Sequence, residues 1–303
     1  MRQKFIAKKK RRKIRGKLLF FLCLFLLGIY ISIYILRKNN NIITDKTLAK
    51  FLVDISFNNK IFNSNNYDFY SDISPVDLIK NNYVEEVILT EKDVSKEVIL
   101  PTIYLYNSHQ GEEYSPSTFA EFSVNPTVMV ADYILADIFR KYNMEVIVEE
   151  RSIKDILNQN NWRYSYSYMA SRILMEDAKK NNPTLTYFID IHRDSLTKDK
   201  TTITINGKSY AKTIFLIGLE NEKYLENLEF TTLINDKMNE KFPGLSKGIY
   251  KKGGVGVNGV YNQDFSNRVI LLEVGGYENN LTEVLNSILA FSECFMEIIN
   301  GEI

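Results

Sequence analysis

The 303-residue chain contains two histidines, His109 and His192, so any imidazole chemistry must use one or both. His109 directly follows the apolar run VILPTIYLYNS, and Glu112 stands three residues further on in Ser108-His109-Gln110-Gly111-Glu112-Glu113-Tyr114. His192 lies in Asp190-Ile191-His192-Arg193-Asp194, at the end of the apolar run TLTYFIDIH. Glu273 is a lone carboxylate inside RVILLEVGG, a run that otherwise reads as buried. Zinc takes imidazole nitrogen at about 2.0–2.1 Å and carboxylate oxygen at about 2.0–2.2 Å; three protein ligands leave a fourth position open, the layout of a catalytic site. His109, Glu112 and His192 are the candidate zinc ligands, and Glu273 is then the candidate general base toward water. Asp190, Arg193 and Asp194 read as an ion-pair network that supports the ligands from behind. Each residue also has a blander reading: a chance His-x-x-Glu, a hydrogen-bonded core histidine, a carboxylate marking a strand's exit. The coincidence of both histidines and an apolar-strand glutamate at three strand ends favours a zinc hydrolase.

These residues need strands that end together. Beyond VILPTIYLYNS the pattern predicts a helix over VNPTVMVADYILADIFRKYN with Pro126 near its start, a short strand MEVIVEE, and a helix SYMASRILMEDAKKNNP stopped near Pro183. TLTYFIDIH follows as a buried strand, and TTITI-NG-KSYAKTIFLIG reads as a hairpin turning at Asn206-Gly207. A helix from Glu220 to Phe242, the strand RVILLEVGG and a helix over NNLTEVLNSILAFSECFMEIING complete the chain. Strands alternating with helices predict an α/β domain with a mostly parallel central sheet flanked by helices, over residues 98–303. In such sheets ligands bind at the carboxyl ends of the strands.

The N-terminal third reads differently. Residues 18–36 (LLFFLCLFLLGIYISIYIL) carry no charge and, as a helix, would span roughly 28 Å, close to a bilayer core of about 30 Å. Residues 1–17 hold ten Lys or Arg and no acid, which predicts a cytoplasmic tail, a single membrane-spanning signal anchor and an extracytoplasmic remainder. The anchor would meet membrane lipid, and the tail chiefly sets its orientation. Residues 37–97, rich in Asn, Asp and Lys, read as a stalk. Of 38 basic residues, the 28 outside the tail face 37 acids, so the body carries a net charge of −9 and lacks the basic balance of a nucleic-acid-binding domain. Cys23 and Cys294 are too far apart in pattern to imply a disulfide framework.

From Thr102 onward the chain resembles the stage II sporulation protein P family, relatives of the zinc-dependent N-acetylmuramoyl-L-alanine amidases. The motifs are IYLYNSHQGEEYSP, SYSYMASRILM, YFIDIHRDS, VYNQDF and LLEVGGYENNLTEV. The resemblance implies an amidase-like fold and hydrolysis, with Zn2+, of the amide between N-acetylmuramic acid and L-alanine in peptidoglycan; it also implies an endopeptidase activity on cross-linked stem peptides. It places the metal on His109, Glu112 and His192 and the catalytic glutamate at Glu273. Glu113 and Glu121 remain rivals of Glu112 as the carboxylate ligand. Stage II sporulation proteins D and M, during engulfment of the forespore, are the partners it implies. Two other readings stand beside it. A metallocarboxypeptidase would need a cation such as Arg193 or Arg268 for its substrate's carboxylate. A non-catalytic scaffold would grip the wall without cutting it.

Overall fold

Apolar runs rich in β-branched and aromatic residues become the strands of one sheet. A computed structural model describes residues 44–57, 101–115 and 126–301. The central strands are β1 (Thr102–Tyr106), β2 (Glu145–Val148), β3 (Leu185–Asp194), β6 (Thr213–Gly218), β7 (Ser246–Lys252) and β8 (Val269–Gly276), in the order β2-β1-β3-β8-β6-β7. β2, β1, β3 and β8 run parallel; β6 meets β8 antiparallel, and β7 runs parallel to β6. The sheet is therefore mostly parallel, as the alternation of elements predicts, with two reversed strands at one side.

The reversal comes from the segment expected to be one hairpin. β4 (Thr202–Ile205) and β5 (Lys208–Ala211) do pair across Asn206 and Gly207, both at positive φ, the backbone that this dipeptide adopts readily. The chain then leaves the hairpin at Lys212, and β6 joins the main sheet instead. β7, whose sequence SKGIYKK lacks an apolar alternation, was not anticipated; it is an edge strand held by pairing with β6.

Helices cover both faces. Tyr104, Tyr106 and Phe188 pack under Met175 and Ala178 of α4 (Ser167–Asn181). On the other face Tyr187 meets Phe230 of α6 (Tyr224–Lys241) and Phe295 of α7 (Leu281–Asn300). Phe295 also meets Phe139 of α2 (Met129–Lys141). Burying each such ring contributes about 1.5–3 kcal/mol. α7 starts at a capping box, Asn280 accepting from the Glu283 N–H and Glu283 accepting from the Asn280 N–H. A short α3 (Ile153–Gln159) and a 3-10 turn (Tyr164–Tyr166) lead into α4, and α5 (Lys198–Thr201) follows β3.

Part of the expected stalk is folded against this body. α1 (Asp45–Phe57) buries Leu48, Ala49, Leu52 and Val53, packs on α2, and accepts hydrogen bonds from Thr127 on the Asp45 carboxylate. The basic tail, the candidate membrane span at 18–36 and the rest of the stalk lie outside the described residues; among those residues no helix is long and apolar enough to cross a membrane.

Candidate metal centre

β1 ends at Tyr106 and the chain turns at once. The Glu112 N–H donates to the His109 carbonyl at 3.0 Å, a turn that brings the two side chains together. β3 runs beside β1, and its alternation puts Phe188, Asp190 and His192 on the face that α4 covers. The Glu112 carboxylate sits between the two imidazoles: Oε1 is 3.5 Å from His109 Nδ1, and Oε2 is 3.4 Å from His192 Nδ1. The rings stand 5.0 Å apart and nearly perpendicular. One donor atom from each of His109, Glu112 and His192 lies within 4.8 Å of the others, a group able to hold a metal ion.

The residues present fit such an ion. Separations of 3.4–3.5 Å are long for hydrogen bonds. They approach the roughly 3.3 Å between two ligands that each lie about 2.0–2.1 Å from one tetrahedral zinc. A nitrogen, nitrogen, oxygen donor set also suits zinc. Glu112 is further oriented by the Arg193 N–H, which donates to Oε2 at 3.0 Å.

Asp190 is buried behind His192. Its Oδ1 accepts from the Ser108 N–H at 2.8 Å and its Oδ2 from the Ser108 hydroxyl at 2.5 Å; that hydroxyl also meets Ser171 of α4. Asp190 Oδ1 lies 3.0 Å from His192 Nε2, but the ring N–H is not aligned on it, so the link is a charge contact and Nε2 keeps no directed hydrogen-bond partner. Burial alone would lower the His192 pKa; Asp190 and Glu112 outweigh it and push the imidazole up to about 10. Burial likewise opposes ionisation of Glu112, yet His109, His192 and the Arg193 N–H hold it well below the usual carboxylate range. Such a cluster is strongly negative apart from the proton on His192, which a metal ion would displace.

Glu273 stands directly opposite His192 in the β3–β8 register, outside the ligand cluster. Burial first, and Asp194 second, raise its pKa; His192 and Lys252 offset part of this. The Gly275-Gly276 pair that follows is required by packing. Gly275 has φ +67, and a Cβ there would come within 2.7 Å of Asn279 Oδ1 and 2.8 Å of Ala211 Cβ.

The expected ion-pair network of Asp190, Arg193 and Asp194 does not form. Strand alternation sends Arg193 away from the face carrying Asp190 and His192. The Arg193 guanidinium donates to the Glu113 and Asp194 carbonyls. Asp194 instead accepts from the Leu196 N–H and lies 3.7 Å from Lys247 Nζ. Of the rival carboxylates, Glu113 is outside the metal-capable group and Glu121 lies outside the described residues. Arg268 sits over the Phe230 ring at the opposite end of β8 from Glu273.

An aromatic wall around the imidazoles was not read from the sequence as part of the site. Tyr164 stacks on His109 at 5.0 Å, Tyr168 meets it edge-on at 5.2 Å and lies over His192 at 6.2 Å, and Tyr261 meets Tyr168 at 5.2 Å. Tyr261 and Asn262 both adopt φ near +57, at 56° and 58°, a costly conformation for side-chain-bearing residues that concentrates at functional sites. Asn258 Oδ1 accepts from the Val260 and Tyr261 N–H groups, and Asn262 Nδ2 donates to the Tyr168 carbonyl and to Ser171, tying this turn to α4. The available signal was the tyrosine-rich YSYSY and the VYNQDF segment, whose spacing does not tell which ring faces a ligand.

Fold and site together define an α/β protein with a candidate metal centre of two histidines and a glutamate at the carboxyl ends of parallel strands. The family model described as stage II sporulation protein P matches residues 64–296, and the chain belongs to that family. It is 36% identical over 203 residues to the stage II sporulation protein P of Bacillus subtilis (strain 168), a match that covers 65% of this chain. The chain spans about half the length of that curated relative, 50%. Among solved structures it is similar to the CwlD amidase from Clostridioides difficile in complex with the GerS lipoprotein, at 13% identity and a TM-score of 0.44, covering 66% of this chain and 99% of that one. It is also similar to a metallo-carboxypeptidase from Burkholderia cenocepacia, at 11% identity and a TM-score of 0.40, covering 70% of this chain and 60% of that one.

Proposed function

We propose that the protein is a zinc-dependent peptidoglycan hydrolase that cuts the amide between N-acetylmuramic acid and L-alanine. In this reading a single N-terminal helix anchors it in the cell membrane, its catalytic domain lies outside the cytoplasm, and it acts in forespore engulfment with the family's D and M proteins. The observation that carries the chemical part is the placement of Glu273, a carboxylate with raised pKa, directly beside His192 and outside the His109, Glu112, His192 group. Bound there, zinc would supply Lewis acidity toward the scissile carbonyl and make water acidic near neutral pH.

The chain's own residues divide the remaining work. His109, Glu112 and His192 hold the ion, and the Arg193 N–H fixes the Glu112 carboxylate. Asp190 keeps negative charge behind His192 and is itself locked by two bonds from Ser108. Glu273 takes a proton from the attacking water and returns it to the leaving amine; a carboxylate with an elevated pKa suits both steps. The test is to load the full chain, solubilised in detergent, with zinc, incubate it with isolated peptidoglycan, and identify the products by mass spectrometry. Release of whole stem peptides with denuded glycan strands, lost in His192→Ala, is the expected result. Single terminal amino acids would instead assign a carboxypeptidase, and cut cross-links an endopeptidase. Bound zinc without any release, even after adding the family's D protein, would overturn the hydrolase reading.

A further inference from the structure

We infer that the 3-10 turn Tyr164–Tyr166 is a stacking platform for the sugar rings of the glycan strand, on the His109 side of the metal centre. The inference rests on the peptidoglycan reading and names which part of that substrate lies where. Tyr164 is 60% exposed and Tyr166 44% exposed. Tyr164 is not a stray surface residue, because one face of its ring stacks on the candidate ligand His109 at 5.0 Å. Its exposure therefore falls on the opposite face and edge, at the rim of the centre. Tyr166 lies next to it and is backed by Trp162, whose ring centroid is 5.9 Å away. The apolar surface continues along α4 through Met169 and Ile173, 48% and 42% exposed, at the i, i+3, i+7 spacing from Tyr166 that keeps a helical stripe on one face. A contiguous exposed apolar strip beside a candidate active site marks a binding surface.

Charge decides which part of the substrate it takes. The sugar rings of peptidoglycan are neutral and present flat C–H faces, which stack on aromatic rings. The stem peptide carries carboxylates, which need cations. The platform side chains themselves, Tyr164, Tyr166, Met169 and Ile173, carry no charge; Arg163 precedes the turn, and the Arg193 guanidinium, which acts on Tyr164 from the ligand side, is held by the Glu113 and Asp194 carbonyls. A lysine near the centre lies on the far strand: Lys247 Nζ is 3.7 Å from Asp194 Oδ2. It belongs to β7, separated from β1 by β3, β8 and β6 in the sheet order. The scissile bond, over the ligands and Glu273, then has glycan toward Tyr164 and the acidic peptide toward Lys247.

The test uses binding without turnover. Trp162 is the chain's single tryptophan, so its fluorescence reports on this turn alone. Full-length protein carrying Glu273→Gln, loaded with zinc, is titrated with peptide-free glycan strands and, separately, with free stem peptide. Glycan strands are expected to shift Trp162 emission, and Tyr164→Ala or Tyr166→Ala to weaken that binding about two- to tenfold each, in line with single aromatic contacts. Tyr164→Phe, which keeps the ring, should restore it, and stem-peptide binding should not change. Tyr166 does not touch the ligands, so its variant separates the platform from any effect on metal content. Unchanged glycan affinity in the Tyr164→Ala, Tyr166→Ala double variant overturns the inference. Selective loss of stem-peptide binding in Arg163→Ala, with glycan affinity independent of the tyrosines, overturns it in favour of a peptide site. Wild-type protein that binds glycan through the tyrosines but never cuts the wall would defeat the hydrolase reading alone.

Discussion

Replacing Glu273 by glutamine separates base from ligand. The substitution keeps shape and removes only the charge. Its partner in register is His192, and the three metal-capable side chains do not include it. Metal content should therefore stay at the wild-type level. Loss of a positioned general base costs about 10²–10⁴ in rate, or roughly 3–5 kcal/mol at about 1.36 kcal/mol per decade. The same substitution has a stability signature that follows from the pKa. The folded state raises the Glu273 pKa above 4.5, chiefly by burial. The native protein thus binds this proton more tightly than the unfolded chain, and stability is lost as pH rises through the shifted value. Glutamine carries no charge to bury, so metal-free Glu273→Gln should melt at or above wild type at pH 8, and the difference should vanish below about pH 4, where the Glu273 carboxyl is protonated in both the folded and the unfolded wild-type chain. The measurements are bound zinc by elemental analysis, kcat on peptidoglycan and melting temperature across pH. A variant that loses zinc in parallel with activity, or keeps kcat within tenfold, refutes the assignment of Glu273 as base.

Three further outcomes follow from the same geometry. His192→Ala should abolish tight zinc binding, whereas Asp190→Asn should weaken it about 10- to 100-fold while leaving the fold intact, as isothermal titration would record. In metal-free protein the His192 pKa is raised to about 10 from 6.5, so its contribution is complete below about pH 6.5 and disappears as pH rises toward 10; the stabilisation gained on adding zinc should accordingly grow with pH in thermal scans, and constant stabilisation between pH 6 and 9 would contradict the arrangement. Asn280→Ala removes the α7 cap and should cost about 1 kcal/mol in denaturant unfolding without changing zinc affinity.

The sequence by itself determined the alternating α/β order and the strand ends bearing His109, His192 and Glu273, because hydrophobic periodicity acts over a few residues. It did not determine the direction of β6 or the existence of β7, since SKGIYKK has no apolar pattern of its own and is a strand only through its neighbour. It also assigned Arg193 to an ion pair that strand alternation forbids, leaving the backbone N–H rather than the guanidinium on Glu112. The separation of Glu112 from Glu113 rests on which way the turn after β1 faces, fixed by the Glu113–Thr127 bridge and the hydrogen bonds around it. Residues 109, 192 and 273 are far apart along the chain, and only the parallel register of β1, β3 and β8 brings them to one face. The aromatic wall depends on α4 docking on that face, a long-range packing choice that side-chain spacing alone does not encode.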